Sequence, residues 1–180
     1  MNSVSVLDLR SIFGVHARIT KSGSTTGGAF VEMDCTAEPG SGTMVHFHPE
    51  QDESFEVVEG QIEVLREGRW MPVPAGECYS VPKGAVHAWR NAAEVPARFV
   101  NVHRPALGFE AHMTTLDRLV REGKIRGKSD PRSIIYMSLS AVEHQPDVTV
   151  RPPQWLVKAT ASVGRLLGFR LGSEDGRSSV

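Results

Sequence analysis

Two histidines separated by a single residue, His46 and His48, constrain the fold of this chain more than any other feature. On a β-strand, side chains two positions apart point to the same face, so both imidazoles would project together. After a short loop Glu53 begins the next expected strand, and His87 lies on a later one. Three imidazoles and one carboxylate that converge inside a barrel would provide three nitrogen ligands and one oxygen ligand. We therefore predict that these four residues bind a metal ion.

Short apolar segments separated by turn residues predict antiparallel β structure in a barrel or sandwich, rather than a parallel sheet. The expected strands are residues 15–20, 29–37, 53–58, 61–66, 70–73, 76–81, 85–90 and 98–103. Gly60 and Gly68 would supply the positive φ of two-residue turns, so the central strands are expected to pair as successive hairpins. Residues 4–9 would form an edge strand or lie across a partner subunit.

Two spacing patterns in this region resemble those of the cupin family. The pattern G-x5-H-x-H-x4-E-x6-G is met at Gly40, His46, His48, Glu53 and Gly60. The pattern G-x5-P-x-G-x2-H-x3-N is met at Gly76, Pro82, Gly84, His87 and Asn91. The resemblance implies a mainly β fold, an antiparallel β-barrel of the double-stranded β-helix or jelly-roll type, with a divalent metal held by the three histidines and Glu53. Because this fold hosts oxygenases, isomerases, lyases and non-catalytic proteins, it does not identify the reaction.

The ligand types limit the metal to a few candidates. Imidazole suits zinc, iron, nickel and copper, and a carboxylate also admits manganese. Four protein ligands would leave one or two positions open on a five- or six-coordinate ion, as in catalytic rather than structural sites. We expect one divalent ion, Fe, Mn, Ni or Zn; the alternative is a polar cluster that holds water and no metal.

Strand parity also predicts the walls of a pocket around the ligands. The residues expected on the inward faces are Met44, Phe55, Val57, Trp89, Phe99 and Asn101. Such a wall suits a small planar or apolar substrate with one or two oxygen donors. The alternative is ordinary core packing, since a small barrel fills its interior with side chains of this kind.

Two residues are the candidate catalytic groups. Glu53 would ligate the ion, or loosen and take a proton from the substrate. His103 would be an acid or base in the cavity, a group behind the ligands, or a structural residue. His16, His112 and His144 fall outside both motifs, and no chemistry is assigned to them.

The spacing of apolar residues becomes helical after Gly108 and predicts a C-terminal extension of three helices. The first would end at Gly123, the second would begin at Asp130 and Pro131, and the third would span residues 154–169. One side of the third helix carries Trp155, Leu156, Ala159, Val163, Leu166 and Leu167. The domain division is accordingly a barrel over residues 1–108 and a dependent extension over 109–180, which ends in a disordered tail from 172.

These helices are expected to cap one end of the barrel or to pack in a dimer interface. The alternative is that the last helix, with Lys158, Arg165 and Arg170, lies on a membrane surface.

Composition excludes several classes of partner and compartment. The 180 residues carry a formal net charge of -1 with mixed signs, so no nucleic acid is expected. No apolar run approaches the roughly 20 residues that span a bilayer, and no membrane partner is expected. Cys35 and Cys78 are too few for a disulfide framework, so two buried thiols in a cytoplasmic protein are expected. A homodimer that pairs exposed sheet edges is the expected assembly.

Two classes of function remain. The first is a metal-dependent enzyme of the dioxygenase type, a reaction suggested by the likeness of the pattern to small single-barrel cupins that are likened to quercetin dioxygenases. Its variant is an isomerase or lyase in which the metal is a Lewis acid. The second is a non-catalytic protein that binds a small molecule in the barrel.

Overall fold

The computed structural model describes residues 5–144 and 152–172, and within them two antiparallel sheets are followed by three longer helices. The strands are β1 Val6–Leu9, β2 Val15–Lys21, β3 Val31–Ala37, β4 Asp52–Glu59, β5 Gln61–Arg66, β6 Arg69–Pro74, β7 Cys78–Val81, β8 His87–Arg90 and β9 Ala97–Arg104. The helices are α1 Arg10–Phe13, α2 Phe109–Arg121, α3 Pro131–His144 and α4 Gln154–Leu166. The predicted mainly β fold class with C-terminal helices is confirmed.

The sheets bring strands together that are distant in sequence. One sheet has the order β1-β2-β3-β9-β4-β7 and the other the order β6-β5-β8. Burial alternates along β3 and β9, where every second residue is buried, because successive side chains of a strand point to opposite faces. The buried faces enclose one hydrophobic core, to which residues of α2, α3 and α4 also contribute.

The expected hairpin between β4 and β5 is wrong. β4 pairs with β7 and β9, whereas β5 pairs with β6 and β8, so the turn at Gly60 carries the chain from one sheet to the other. Gly60 has a φ of 71°, and a Cβ there would lie 2.9 Å from the carbonyl oxygen of Pro96. The turn at Glu67 and Gly68 does join a hairpin, since Arg66 pairs with Arg69.

The segment that carries the two histidines is less regular than predicted. It joins the smaller sheet through isolated bridges from Gly42 to Arg90 and from His46 to His87, not through a continuous strand ladder. The His46 N–H donates to the His87 carbonyl over 2.8 Å, and the reverse bond has the same length. Met44, which was expected to point inward, is 60% exposed, and its place in a pocket wall stays a prediction.

The helices begin close to their predicted positions. The side chain of Asp130 accepts a hydrogen bond from the N–H of Arg132 over 2.9 Å, as expected of a cap at the start of α3. α2 packs on the edge strand β1, where Asp117 accepts the N–H of Asp8 over 2.6 Å and Arg121 donates to the Val6 carbonyl over 3.0 Å. The predicted tail lies outside the described residues from position 173 onward.

α4 packs through small residues and not through the side that carries its large apolar residues. Its buried residues are the small Val157, Ala161 and Gly164, and a Cβ at Gly164 would overlap Ile135 of α3. Small side chains let the two helices approach closely, so the large apolar residues of α4 face outward. No helix among the described residues is long and apolar enough to cross a membrane.

The two cysteines are free thiols in different environments. Cys35 is buried on β3, and burial raises the pKa of its thiol. Cys78, which was expected to be buried, is exposed at the start of the edge strand β7.

Candidate metal centre

The four predicted ligands meet between the two sheets. Glu53 is the second residue of β4 in the larger sheet, and His87 is the first residue of β8 in the smaller one. His46 is bridged to His87, and His48 follows two residues later. One nitrogen or oxygen atom from each of the four lies within 4.8 Å of all the others. The four residues that the spacing motifs identify therefore lie together in the structure, as predicted.

The donor set fits a divalent metal ion. Two donors bound about 2.1 Å from one ion lie at most ~4.2 Å apart, close to the separation seen here. His48 is only 3% exposed, yet neither of its ring nitrogens has a hydrogen-bond partner among the described residues. Its Nε2 is 3.4 Å from Oε2 of Glu53, without hydrogen-bond geometry. A buried unpaired polar group is costly, and a metal ligand bond would satisfy it.

Backbone carbonyls orient two of the imidazoles. Nδ1 of His46 donates to the Met44 carbonyl over 2.8 Å, and Nδ1 of His87 donates to the Ala85 carbonyl over 2.9 Å. A carbonyl only accepts, so the proton on each ring sits at Nδ1 and Nε2 is the atom offered to an ion. Burial and the nearby His87 lower the pKa of His46 to about 3, which keeps its ring neutral as ligation requires.

His87 and Glu53 form a short ion pair in the absence of metal. Nε2 of His87 donates to Oε2 of Glu53 over 2.6 Å. Burial alone would lower the pKa of His87, but the hydrogen bond and the charge of Glu53 outweigh it and raise the pKa above its usual 6.5. Burial likewise opposes the ionised form of Glu53, and the surrounding histidines nevertheless hold its pKa well below the usual range. The carboxylate is therefore ionised and ready to bind a cation.

Two residues of β9, Asn101 and His103, lie next to the second carboxylate oxygen of Glu53, Oε1. Asn101 donates from Nδ2 to Oε1 over 2.8 Å, and Oδ1 of Asn101 accepts from Nε2 of His103 over 3.0 Å. Nε2 of His103 is itself 3.3 Å from Oε1. Burial lowers the pKa of His103, so the ring is held neutral behind the carboxylate. These two residues orient Glu53; the catalytic assignment of His103 stays a prediction.

Sequence reasoning missed two residues that enclose the site. Phe109, the first residue of α2, stacks on His103 with ring centroids 3.4 Å apart and an angle of 20° between the planes. Gln51, in the loop before β4, donates to the carbonyls of Pro105 and Ala106 over 2.7 and 2.9 Å. The Gln51 contacts join segments more than 50 residues apart, and the Phe109 contact joins a helix to a strand. No local spacing in the sequence indicates either of them.

The predicted pocket wall lies mostly in the packed core. Phe55, Trp89 and Phe99 are buried and contact one another, with ring centroids 5.8 Å apart for Phe55 and Phe99 and 5.1 Å for Trp89 and Phe99. Val57 is also buried. A cavity of about 470 Å³ touches Glu53 but is otherwise lined by neighbours on the outer side of β4, β7 and β9. The role of these residues in a substrate pocket stays a prediction.

Comparison with known proteins agrees with this geometry. A family model described as "Cupin domain" matches residues 33–103. An uncharacterized protein of Aquifex aeolicus (strain VF5) is 40% identical over 50 residues, which are 28% of this chain and 41% of that protein. The polyketide synthase CurC of Streptomyces cyaneus is 36% identical over 62 residues, 34% of this chain and 40% of that protein. The matches thus span about two fifths of these relatives' lengths.

A solved structure shares the same fold. The polyketide cyclase RemF of Streptomyces resistomycificus superposes with a TM-score of 0.50 at 24% identity, covering 57% of this chain and 74% of that one. This likeness concerns the fold alone. Residues 33–103, which carry both spacing motifs and the four converging ligands, match the cupin domain, and the antiparallel sheets agree with the double-stranded β-helix that this resemblance implies.

Proposed function

We propose that this protein is a metal-dependent enzyme of the dioxygenase type, which acts on a small, partly apolar substrate that bears oxygen. The observation that carries the proposal is the asymmetry of the ligand set. His48, Glu53 and His87 are buried, whereas His46 is partly exposed, which would let a small molecule reach the centre from the His46 side. A sealed structural site would bury all its ligands.

The residues of the centre would have two roles, ligation of the ion and orientation of Glu53. His46, His48, His87 and Oε2 of Glu53 would hold the ion, which when bound supplies Lewis-acid chemistry and, for iron, manganese or nickel, redox chemistry. Oε1 is hydrogen-bonded to Asn101, so Glu53 would keep its orientation if Oε2 loosened from the ion and accepted the proton of a substrate hydroxyl. Both atoms of dioxygen would enter the substrate, and the substrate would supply the four electrons, so no external reductant is required.

The test is oxygen consumption by protein loaded separately with iron(II), manganese(II), nickel(II) or zinc(II). Simple catechols, enols and flavonols are the probes, and labelled dioxygen traces the oxygen atoms into the product. The proposal expects uptake with a redox-active metal, loss of uptake in His48→Ala, and retention in His16→Ala, which removes a histidine outside the site. Metal-loaded protein that binds a probe and consumes no dioxygen with any of them would contradict it.

A second candidate is a metal-dependent lyase or cyclase that needs no dioxygen. The specific observation is the 36% identity over 62 residues to a polyketide synthase protein. In this case an ion held by the three histidines and Glu53 would supply Lewis-acid chemistry, and Glu53, loosened from it, would take an acidic proton from between two carbonyl groups. Turnover of a 1,3-dicarbonyl compound under argon, with zinc as effective as iron, would favour it over the dioxygenase. Binding of such compounds with no turnover under either atmosphere would favour a non-catalytic binding protein.

A further inference from the structure

Helix α4 has two apolar faces, and among the residues that the structure describes only one of them is covered. Val157, Ala161 and Gly164 are buried against the rest of the helical extension. The opposite side is exposed over the whole helix, with Trp155 70% and Leu166 87% exposed. We call this side the outer face of α4; its residues are Trp155, Leu156, Ala159, Val163, Leu166 and Leu167. Apolar residues exposed contiguously along one helix are typical of an interaction surface.

The neighbouring helix α3 carries one further exposed apolar residue. Gly164 of α4 packs over Ile135 of α3. The adjacent Ile134 is 42% exposed, two residues after Arg132. Arg165 of α4 lies 3.9 Å from Glu143 of α3, so its charge is partly balanced there.

The charge of the chain is divided between its two parts. Residues 5–108 contain nine Lys and Arg against thirteen Asp and Glu, whereas residues 109–144 and 152–172 contain nine against five. Residues 152–172 contain Lys158, Arg165 and Arg170 and no acidic residue. Lys158 and Arg165 are seven residues apart, about two helical turns, so they project from the same side of α4. The net charge of the whole chain is only -1, but the described part of the helical extension has an excess of basic residues.

This charge decides between possible occupants of the outer face. A second copy related by a twofold axis would bring one basic helix against another, which like-charge repulsion disfavours. An anionic lipid surface attracts the cations and accepts the apolar side chains at the boundary between headgroups and acyl chains. Tryptophan and leucine beside Lys and Arg are typical of helices that lie in that boundary.

We propose that the outer face of α4 docks onto anionic lipid membranes as an interfacial helix. The proposal departs from the expectation of no membrane partner, and it is independent of the reaction at the metal centre. The helix would lie flat on the surface and would not span it, in keeping with its length of 13 residues.

The test is sedimentation of the full-length protein with vesicles. Vesicles of phosphatidylglycerol and phosphatidylcholine supply the anionic surface, and vesicles of phosphatidylcholine alone are the neutral reference. We expect binding to the anionic vesicles, weakened by salt, and a blue shift of tryptophan emission that is absent in Trp155→Phe. Leu166→Glu should lower the vesicle affinity about tenfold or more, because it removes an apolar side chain and adds a repelled charge.

A matched variant separates this effect from a general change of charge. Val95→Glu makes the same kind of change at a residue that is 59% exposed, far along the chain from α4, and it should leave vesicle binding unchanged. Equal binding by the natural protein and Leu166→Glu, or equal loss in both variants, would overturn the proposal. No binding of the natural protein to anionic vesicles would overturn it too, and a dimer that Leu166→Glu dissociates would then assign the face to a second copy.

Discussion

Asn101 donates a hydrogen bond from Nδ2 to Oε1 of Glu53 over 2.8 Å, while Oε2 of the same carboxylate accepts from His87 over 2.6 Å. The two oxygens of Glu53 therefore have different partners: one is fixed by the β9 side chain behind it, and the other faces the three histidines. A carboxylate held in this way presents a single oxygen to a metal ion without losing its orientation.

Removal of the Asn101 amide should weaken metal binding without removing any ligand. We expect Asn101→Ala to lower the affinity for divalent metal about tenfold or more, the usual effect of losing a hydrogen bond to a ligating side chain. Isothermal titration with manganese or zinc measures the change. An affinity equal to that of the natural protein would show that Asn101 does not orient Glu53.

The contact between α2 and the metal centre should contribute to stability. Phe109 is 7% exposed and stacks on His103, so Phe109→Ala should lower the free energy of unfolding by about 3 kcal/mol. Urea unfolding of metal-free protein measures it, with Phe109→Leu as the control that keeps most of the buried volume. A loss below about 1 kcal/mol would mean that α2 is not part of the packed core at this point.

Metal binding should release a proton near neutral pH. The pKa of His87 is raised in the metal-free protein, so below that pKa its Nε2 carries a proton that an ion must displace. His46, with a pKa of about 3, has no proton to give up in this range. Metal affinity should therefore fall as the pH falls through the pKa of His87. Titrations in two buffers of different ionisation enthalpy should give about one proton per ion, and equal apparent enthalpies in both buffers would contradict the prediction.

A buried histidine outside the centre should make the protein sensitive to acid. Burial and the neighbouring His144 lower the pKa of His112 to about 4, and its Nδ1 is 2.9 Å from the Ser140 hydroxyl. The unfolded chain takes up this proton near pH 6.5 and the folded protein only near 4, so stability is lost as the pH falls across that window. His112→Gln should reduce the slope of unfolding free energy against pH between 6.5 and 4. An unchanged slope would contradict the assignment.

The sequence was informative where spacing alone determines geometry. His46, His48, Glu53 and His87 were found because two fixed spacings carry them, and the turn at Gly68 because its positive φ needs glycine. Reasoning from spacing failed where the partner of a segment decides the outcome. The crossing of the chain between the two sheets at Gly60 follows from strand pairing, which no local pattern specifies.

The helical extension shows the same limit. The apolar periodicity of α4 was recognised, but the side that packs is the one with small residues, since Gly164 and Ala161 permit close contact with α3. The stacking of Phe109 on His103 joins residues from a helix and a strand. The packing of α4 on α3 and the stacking of Phe109 on His103 both depend on how entire helices and strands pack together. The pattern of hydrophobic residues along the chain does not specify that packing.

Metal content tests the assignment of the ligands most directly. Elemental analysis should be carried out on protein purified without an affinity tag or chelator, alongside His48→Ala and the control His16→Ala. We expect about one equivalent of a divalent metal in the natural protein and in His16→Ala, with a several-fold lower content in His48→Ala. No metal in the natural protein even after incubation with Fe, Mn, Ni and Zn, or an unchanged content in His48→Ala, would contradict the metal centre.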